Sequence, residues 1–594
     1  MSIVPSAFQE AIYHEYGHGS SNLFVNAGPG SAKTTTSVNA TIYIPKGRSI
    51  GFFCFNKEIA NVLKGKVTGG AVASTIHAHG YGALAKYARM HGIRFGSPDD
   101  WKYVNIAKQA LESAGIEKKL IQKMSFELKK LTELALNTRT EYGQMAPPSA
   151  IEAMADKYNI STSDTILYSL VGPCVKAGIE LWLKSGSYSF VDMVTLPVIL
   201  DMEVKKYDEI IVDEGQDLND SQLTLMFYSL STGGRISMVA DPFQSIMGFT
   251  GAMPDATDEY LRRSKAKTLP LSVCYRCPPN ILSIPKHVCP TLTAFKTENG
   301  IIAAISQEDS FKMLRKGDFV LCRLCAPLVK QCLGLISRGI SALIKGQDIG
   351  RDLIEFCEKA EQHRDEMDTA WSGFPNALRA ESARILEKMT KERREVKMAN
   401  MEDKVEALVS LYDFFSVTDI NQFTAKIAAL FVDKTFSATI VLCTVHKSKG
   451  LEAERIFILD GDEGRDYWPL RRKGQAAWEL DQERNLIYVG SSRPKAEIYL
   501  ITVPSKFDAR LSFFLDGYYA RMSAAQSEKK VRQPKTTAPQ TSEPTVVNTD
   551  IIIEKRKEHL AKWKQRRHLV TEEDRAALLK PVTKYKQSLL EDND

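Results

Sequence analysis

Few folds accommodate an apolar strand that runs into a turn of glycine, lysine and threonine when an acidic turn also closes a second apolar strand far downstream. Asn22–Asn26 (NLFVN) reads as the first strand, and Ala27-Gly28-Pro29-Gly30-Ser31-Ala32-Lys33-Thr34-Thr35 leads from it into a helical stretch. Such a loop wraps backbone N–H groups around phosphate oxygens, and the start of the helix adds its dipole. Gly28, Gly30, Ser31, Ala32 and Thr35 would form the cradle, Lys33 would reach the β and γ phosphates, and Thr34 would place its hydroxyl on Mg²⁺. The strict pattern has glycine at both ends of its four-residue gap. This chain has Ala27 and Ala32 there, and Ala32 is expected to narrow the space for the phosphates.

The second strand, Glu209–Asp213 (EIIVD), runs into Asp213-Glu214-Gly215-Gln216-Asp217. Its carboxylates therefore emerge at the carboxyl edge of a parallel sheet, where ligands bind. Asp213 can hold Mg²⁺, and Glu214 can orient and deprotonate an attacking water. An acidic turn after a strand is common, but its pairing with the upstream loop argues for a nucleoside triphosphate site.

Further strands are expected at Ser49–Phe55, Ala71–Ser74 and Ile236–Asp241, separated by helices, which suggests parallel pairing with crossovers. A second α/β pattern starts near Leu269 and includes Phe319–Arg323, Thr439–Thr444, Arg455–Asp460 and Glu497–Val503. The fold class read from this is α/β, with two cores that each carry a mainly helical insertion. The expected division gives 1–85 and 201–268 to the first core, 86–200 to its insertion, 269–350 and 435–520 to the second core, and 351–434 to its insertion. The remainder, 521–594, reads as a flexible linker and a basic tail. In it Ile551–Arg567, bearing Trp563, is either a solvated helix or a docking element for a protein partner.

Lys+Arg 78 against Asp+Glu 72 leaves +6 over 594 residues, which permits a basic groove without demanding one. Ten cysteines are too dilute for a disulfide framework. No apolar run reads as a membrane span and no signal-peptide core is visible, so a reducing cytoplasm is the expected compartment, without membrane contact.

Beyond the phosphate loop, the chain resembles the superfamily 1 helicases of the UvrD/Rep/PcrA type, through motifs in the family's order from Phe8 to Tyr499. Phe8-Gln9 stands where the family reads adenine, Ala27–Thr35 resembles motif I, and Phe55–Ala60 (FNKEIA) resembles motif Ia. Ser74–Gly80 (STIHAHG) resembles the next single-strand-contact motif, Asp213–Asp217 motif II, and Ala240–Ala252 (ADPFQSIMGFTGA) motif III. Leu271–Pro278 (LSVCYRCP), Thr444–Glu452 (TVHKSKGLE) and Gln482–Pro494 (QERNLIYVGSSRP) resemble motifs IV, V and VI.

The resemblance implies two RecA-like P-loop cores closing on ATP and Mg²⁺. Gln9 would bond the adenine edge, Tyr275 would stack on its face, and Glu452 would contact the sugar. Gln244 would sense the γ-phosphate, while Arg276 and Arg493 would offset charge on the phosphoryl group. Phe249 would stack on bases, with Asn56, Thr75, His77 and His446 as further strand contacts. Phe55 would serve as strand contact or as core packing. Met247 and Thr250 stand where the family has Tyr and Arg, and Cys54 where motif Ia has its aromatic.

The implied activity is ATP-dependent 3′→5′ translocation on single-stranded DNA with unwinding at single-strand/duplex junctions, in DNA repair or replication. The alternative is a translocase that strips bound proteins or recombination intermediates without processive unwinding. Cys274-x-x-Cys277 and Cys322-x-x-Cys325 have zinc spacing, but alternation of side chains along a strand disfavours convergence. His14 and His18 have no third ligand in view.

Overall fold

The computed structural model describes residues 4–515, apart from 55–56, 95, 140–145, 159, 161, 247–252, 254, 365–369, 388–390, 434–438, 470–476 and 513. Phe55, Asn56, Phe249 and the whole 521–594 tail fall outside the described residues.

The first sheet is built from β1 (Leu23–Ala27), β2 (Ile50–Cys54), β3 (Val72–Thr75), β4 (Tyr207–Asp213), β5 (Leu230–Ala240) and β6 (Lys267–Leu271). All pair in parallel, in the order β3-β2-β4-β5-β1-β6. A two-residue pair follows, β7 (Val273–Cys274) with β8 (Thr293–Ala294). The second sheet comprises β9 (Ile301–Ile305), β10 (Phe319–Cys322), β11 (Ala342–Lys345), β12 (Phe431–Val432), β13 (Ile440–Thr444), β14 (Ala453–Leu459) and β15 (Pro494–Ile501). Its order is β12-β11-β13-β10-β14-β15-β9, again all parallel.

The inner strands β2, β10 and β13 are apolar almost throughout because both faces are covered. Alternation then sends neighbours into different cores. Val25, Phe52, Ile211 and Val239 pack with the helices Ala7–His18 and Lys57–Lys64, whereas Phe24, Phe53, Val212 and Met238 pack on the opposite face. That second face is continuous with a helical insertion between β3 and β4, whose helices include Lys102–Ser113, Lys118–Asn137, Ile166–Ser185 and Phe190–Ile199. Ile166–Ser185 is long and apolar enough to cross a membrane, which the sequence reading did not expect. Its Leu167, Val171, Cys174, Ile179 and Trp182 are buried among neighbouring helices, and a core helix reaches that hydropathy in this way. The second sheet carries its own helices, Gln347–Gln362, Phe374–Glu387, Lys391–Phe414 and Ile420–Leu430, between β11 and β12.

β6 straddles the expected 268/269 junction and pairs with β1, so Leu269–Leu271 extend the first sheet. Pro270 lies within β6, and an edge strand is where a sheet tolerates proline.

Buried Arg235 ties the N-terminal helix to this sheet. Its Nε donates to Glu209 Oε1 at 2.7 Å, and its Nη atoms donate to the carbonyls of Glu15 (2.9 Å), Tyr16 (2.6 Å) and Gly19 (2.6 Å). These carbonyls lie at the end of the helix, where Glu15 O also accepts from Gly19 N at 2.8 Å, so a buried cation there completes their hydrogen bonding and complements the dipole. At the other end Ser6 and Gln9 form a reciprocal cap.

Candidate nucleotide site between the two sheets

The order β4-β5-β1 places three strand ends side by side: Asp213, Asp241 just after β5, and the loop after β1. In that loop Gly30 and Ala32 both adopt left-handed backbone, with φ of 62° and 60°. Ser31 Oγ closes the turn by donating to Gly28 O at 2.7 Å. A Cβ on Gly30 would lie 2.7 Å from Arg276 Cβ, so glycine is required there. At Ala32 the departure from glycine is felt in the backbone, since the left-handed region disfavours an L-residue by roughly 1–2 kcal/mol. The helix Lys33–Ala40 begins at once, with Thr35 exposed on its first turn.

Thr34 Oγ1 donates to Asp213 Oδ2 at 2.7 Å, and Lys33 Nζ lies 3.9 Å from Glu214 Oε1. Glu214 is itself left-handed, at φ 55°. Burial, aided by the adjacent Glu214 charge, pushes the Asp213 carboxyl up to about 6. Burial also acts to raise Glu214, but Lys33, Lys449, the Gln216 amide and Arg493 outweigh it and hold this carboxyl below its ordinary value. Buried Asp213 with a hydroxyl bonded to it, beside half-buried Glu214, is a donor set of hard oxygens suited to Mg²⁺. A cation there would offset the burial and the Glu214 charge that raise Asp213.

This pair makes a stability prediction. A carboxyl raised in the fold binds its proton more tightly there than in the unfolded chain, so stability falls as pH rises from about 4 toward 6 and stays lower above that. Asp213→Asn should therefore stabilise the nucleotide-free protein at neutral pH by roughly 1–3 kcal/mol, with the gain fading below pH 4. Thermal denaturation of both proteins across this pH range, without Mg²⁺, measures the difference.

The turn after β7 and the loops of the second sheet contribute side chains to the same seam. Arg276 donates through Nε to Glu452 Oε2 at 2.7 Å and through Nη1 to Ser492 O at 3.0 Å, while Lys495 holds the other oxygen of Glu452 at 2.9 Å. Tyr275 N donates to Gly30 O at 2.9 Å, and the Tyr275 hydroxyl donates to Gln9 Oε1 at 3.3 Å. Gln9 Nε2 donates to Thr36 Oγ1 at 2.9 Å. Arg493 is buried and donates through Nη2 to Gln244 Oε1 at a long 3.5 Å. Burial and the neighbouring Arg276 charge push its guanidinium down to about 10.

Sequence reasoning left several of the seam's connecting residues without a role. Lys449 Nζ donates to both carboxylate oxygens of Asp217, at 2.7 and 2.6 Å, and to Gln244 O at 2.7 Å. The Tyr488 hydroxyl donates to Asp241 Oδ2 at 3.0 Å, and Gln244 Nε2 donates to the same carboxylate oxygen at 2.7 Å. Gln216 Nε2 donates to Glu214 Oε2 at 2.6 Å, and its Oε1 accepts from Asp241 N at 3.1 Å. These residues lie inside quoted motifs, but nothing in one sequence says which would meet.

Of the strand-contact candidates, Thr75 and His77 lie where β3 runs into its helix, and His446 lies one turn before Lys449, whose N–H donates to its carbonyl at 3.4 Å. Thr75 Oγ1 caps the helix Ile76–His91 by accepting from Ala78 N at 3.1 Å. His77 packs edge-on against Phe190, and His446 follows β13 with its imidazole pushed down to about 3 by burial. A cavity of about 380 Å³ lies between the insertion helices Lys102–Ser113 and Ile166–Ser185, lined by no titratable side chain. Among the described residues no three His, Cys, Asp or Glu side chains gather as a metal set. Strand alternation does not govern Cys274 and Cys277, because β7 ends at Cys274 and the chain turns so that Cys277 N donates to Cys274 Sγ at 3.4 Å.

Two parallel α/β lobes, a phosphate loop on one and arginines from the other at a shared polar seam, define the class: a two-lobed RecA-like P-loop protein. The UvrD/REP helicase N-terminal domain profile matches residues 8–264 and the UvrD-like helicase C-terminal domain profile matches residues 259–505; the chain belongs to the UvrD/Rep helicase family. It is 25% identical to DNA helicase II of Escherichia coli K12 over 291 residues, which is 44% of this chain and 37% of that protein. Against ATP-dependent DNA helicase Rep of the same strain it is 27% identical over 256 residues, 39% of this chain and 35% of Rep. With ATP-dependent DNA helicase PcrA of Bacillus subtilis 168 it shares 35% identity over 104 residues, 17% of this chain and 13% of PcrA. The matched stretches thus span little more than a third of the curated relatives' length at most.

Proposed function

We propose that the chain is an ATP-dependent DNA helicase that moves 3′→5′ along single-stranded DNA and separates duplex at junctions. The observation that carries this reading is the convergence of Lys33, Glu214 and Gln244 from one lobe with Arg276, Lys449 and Arg493 from the other. ATP would lie in that seam. Thr34 and Asp213 would hold Mg²⁺, which when bound neutralises charge on the β and γ phosphates. Gly28, Gly30, Ser31, Ala32 and Thr35 frame the phosphates and Lys33 reaches them. Tyr275 stacks on the base, Gln9 reads its edge in place of the long Tyr275 hydroxyl contact, and Glu452 meets the sugar.

Glu214 takes the proton of the attacking water, while Arg276 and Arg493 offset charge on the phosphoryl group. Gln244 is bonded at its carbonyl by Lys449 and faces Arg493, so a shift at the γ-phosphate position alters contacts between the lobes. That couples turnover to lobe movement. Single strands would follow the carboxyl edges of both sheets past Thr75, His77 and His446, with Phe55, Asn56 and Phe249 as partners from outside the described residues. The 521–594 tail is proposed to dock a protein partner, and the cytoplasm is the proposed compartment.

Strand displacement on 3′-tailed and 5′-tailed duplexes, run beside an ATPase assay with single-stranded DNA, tests this. Displacement confined to the 3′ tail is expected. DNA-stimulated ATPase without displacement would establish the protein-stripping translocase instead.

A further inference from the structure

Cys274 and Cys277 bracket Tyr275 and Arg276, the residues that join the phosphate loop to the second lobe. Both cysteines are buried, and one turn of chain brings the Cys277 N–H onto the sulfur of Cys274. Cys274 Sγ accepts from Cys277 N at 3.4 Å and lies 3.0 Å from where a Cβ on Gly30 would be. Cys277 Sγ reaches Pro494 O at 3.3 Å and Ser492 O at 3.6 Å, on either side of Arg493.

Paired thiols in a core are often mere packing. Two features separate this pair from the other buried cysteines. First, its four-residue turn folds Cys277 N–H onto Cys274 Sγ at 3.4 Å, the spacing that closes an intramolecular disulfide. Second, the thiol of Cys277, the N–H groups of Cys277 and Arg276, and the Arg276 charge all favour the thiolate of Cys274, against its burial. Burial pushes Cys322, Cys325 and Cys443 the opposite way.

We propose that Cys274 and Cys277 are a redox modification site, closed to a disulfide by a peroxide, and that the closed form disables the Tyr275–Arg276 turn. The Cys274 thiolate attacks one peroxide oxygen, the O–O bond breaks, and the leaving oxygen departs as water after taking a proton, which leaves a sulfenic acid. The Cys277 sulfur then attacks the sulfenic sulfur, displacing a second water, and the S–S bond forms. Two electrons pass from the thiols to the peroxide, and a dithiol reductant reverses the change.

Closure draws Cys277 Sγ away from the Ser492 and Pro494 carbonyls and confines Arg276 within the ring. The contacts of Arg276 with Ser492 O and Glu452 depend on that backbone. Gly30 covers Cys274 from the first lobe, so the peroxide enters where the seam opens.

The test treats the full chain with hydrogen peroxide and follows two readouts. One is the mass of the peptide spanning 274–277 without reduction; the other is ATPase with single-stranded DNA, which rests on the proposed function. The expected result is loss of the mass of two hydrogens in that peptide together with a roughly tenfold to hundredfold fall in ATPase, as expected for a misplaced positioning group. Dithiothreitol should reverse both.

Cys274→Ser, or Cys274→Ala if serine disturbs the packing, should keep its ATPase through the same treatment. Free thiols at both positions in treated wild type would overturn the modification site. A linked peptide with unchanged ATPase would overturn the disabling effect. A chain without ATPase before treatment would count against the proposed function alone, because the peptide mass still decides the disulfide.

Discussion

Glu214→Gln lowers ATP turnover by at least about a thousandfold, within the range ascribed to a positioned acid–base group, while ATP and single strands still bind. The amide fills nearly the same volume and can still accept from Gln216 Nε2, so the turn at Glu214 with its left-handed backbone keeps its support. It cannot take a proton. In the wild-type protein the Glu214 carboxylate is held ionised chiefly by Lys33, then by Lys449, against its burial. A polyphosphate that draws Lys33 away would weaken that hold and make Glu214 a stronger base only once substrate is bound. Single-turnover hydrolysis with preformed complex measures the loss. A fall confined to KM, with kcat preserved, would remove Glu214 from the proton-transfer role.

Lys33→Ala reduces ATPase by about a hundredfold or more, as expected when one charged contact to the transferring phosphoryl group is removed. It also carries a pH signature. Without the ammonium, buried Asp213 and half-buried Glu214 are left with less compensating charge, so both carboxyls move up. Groups raised in the fold lower stability as pH rises through their range. The nucleotide-free variant should thus be less stable than wild type at pH 8, with the difference shrinking as pH falls and closing only below about pH 4, where Glu214 is protonated in both. Its affinity for single-stranded DNA should remain within a few-fold, because Lys33 lies in the phosphate loop and not at the sheet edges proposed for the strand. Filter binding and thermal denaturation across pH report the two effects separately.

The legible and illegible parts of this fold divide along physical lines. Phe52, Phe53, Ile210, Ile211 and Val212 belong to unbroken apolar runs, and such runs declare themselves as strands buried on both faces. β6 was hidden by Pro270 and by polar residues that an edge strand allows, and β9 and β11 are short stretches with partly exposed positions. At the site, Lys33, Thr34, Asp213 and Glu214 could be read because their chemistry allows few alternatives in such turns. The bond of Lys449 to Asp217 and that of Tyr488 to Asp241 could not, since they join residues 232 and 247 apart along the chain. The turn that folds Cys277 N onto Cys274 Sγ is illegible for a local reason: strand alternation holds only as far as Cys274, where the strand ends.

The central claim is that one nucleotide is gripped by both lobes at once. A structure of the chain with ADP, Mg²⁺ and aluminium fluoride examines it most directly. The account predicts Lys33, Arg276 and Arg493 all within hydrogen-bond distance of the fluoride group or the β-phosphate, with Glu214 facing the attacking position. A nucleotide held by the phosphate loop alone, with Arg276 still on Glu452 and Arg493 turned away, would contradict it.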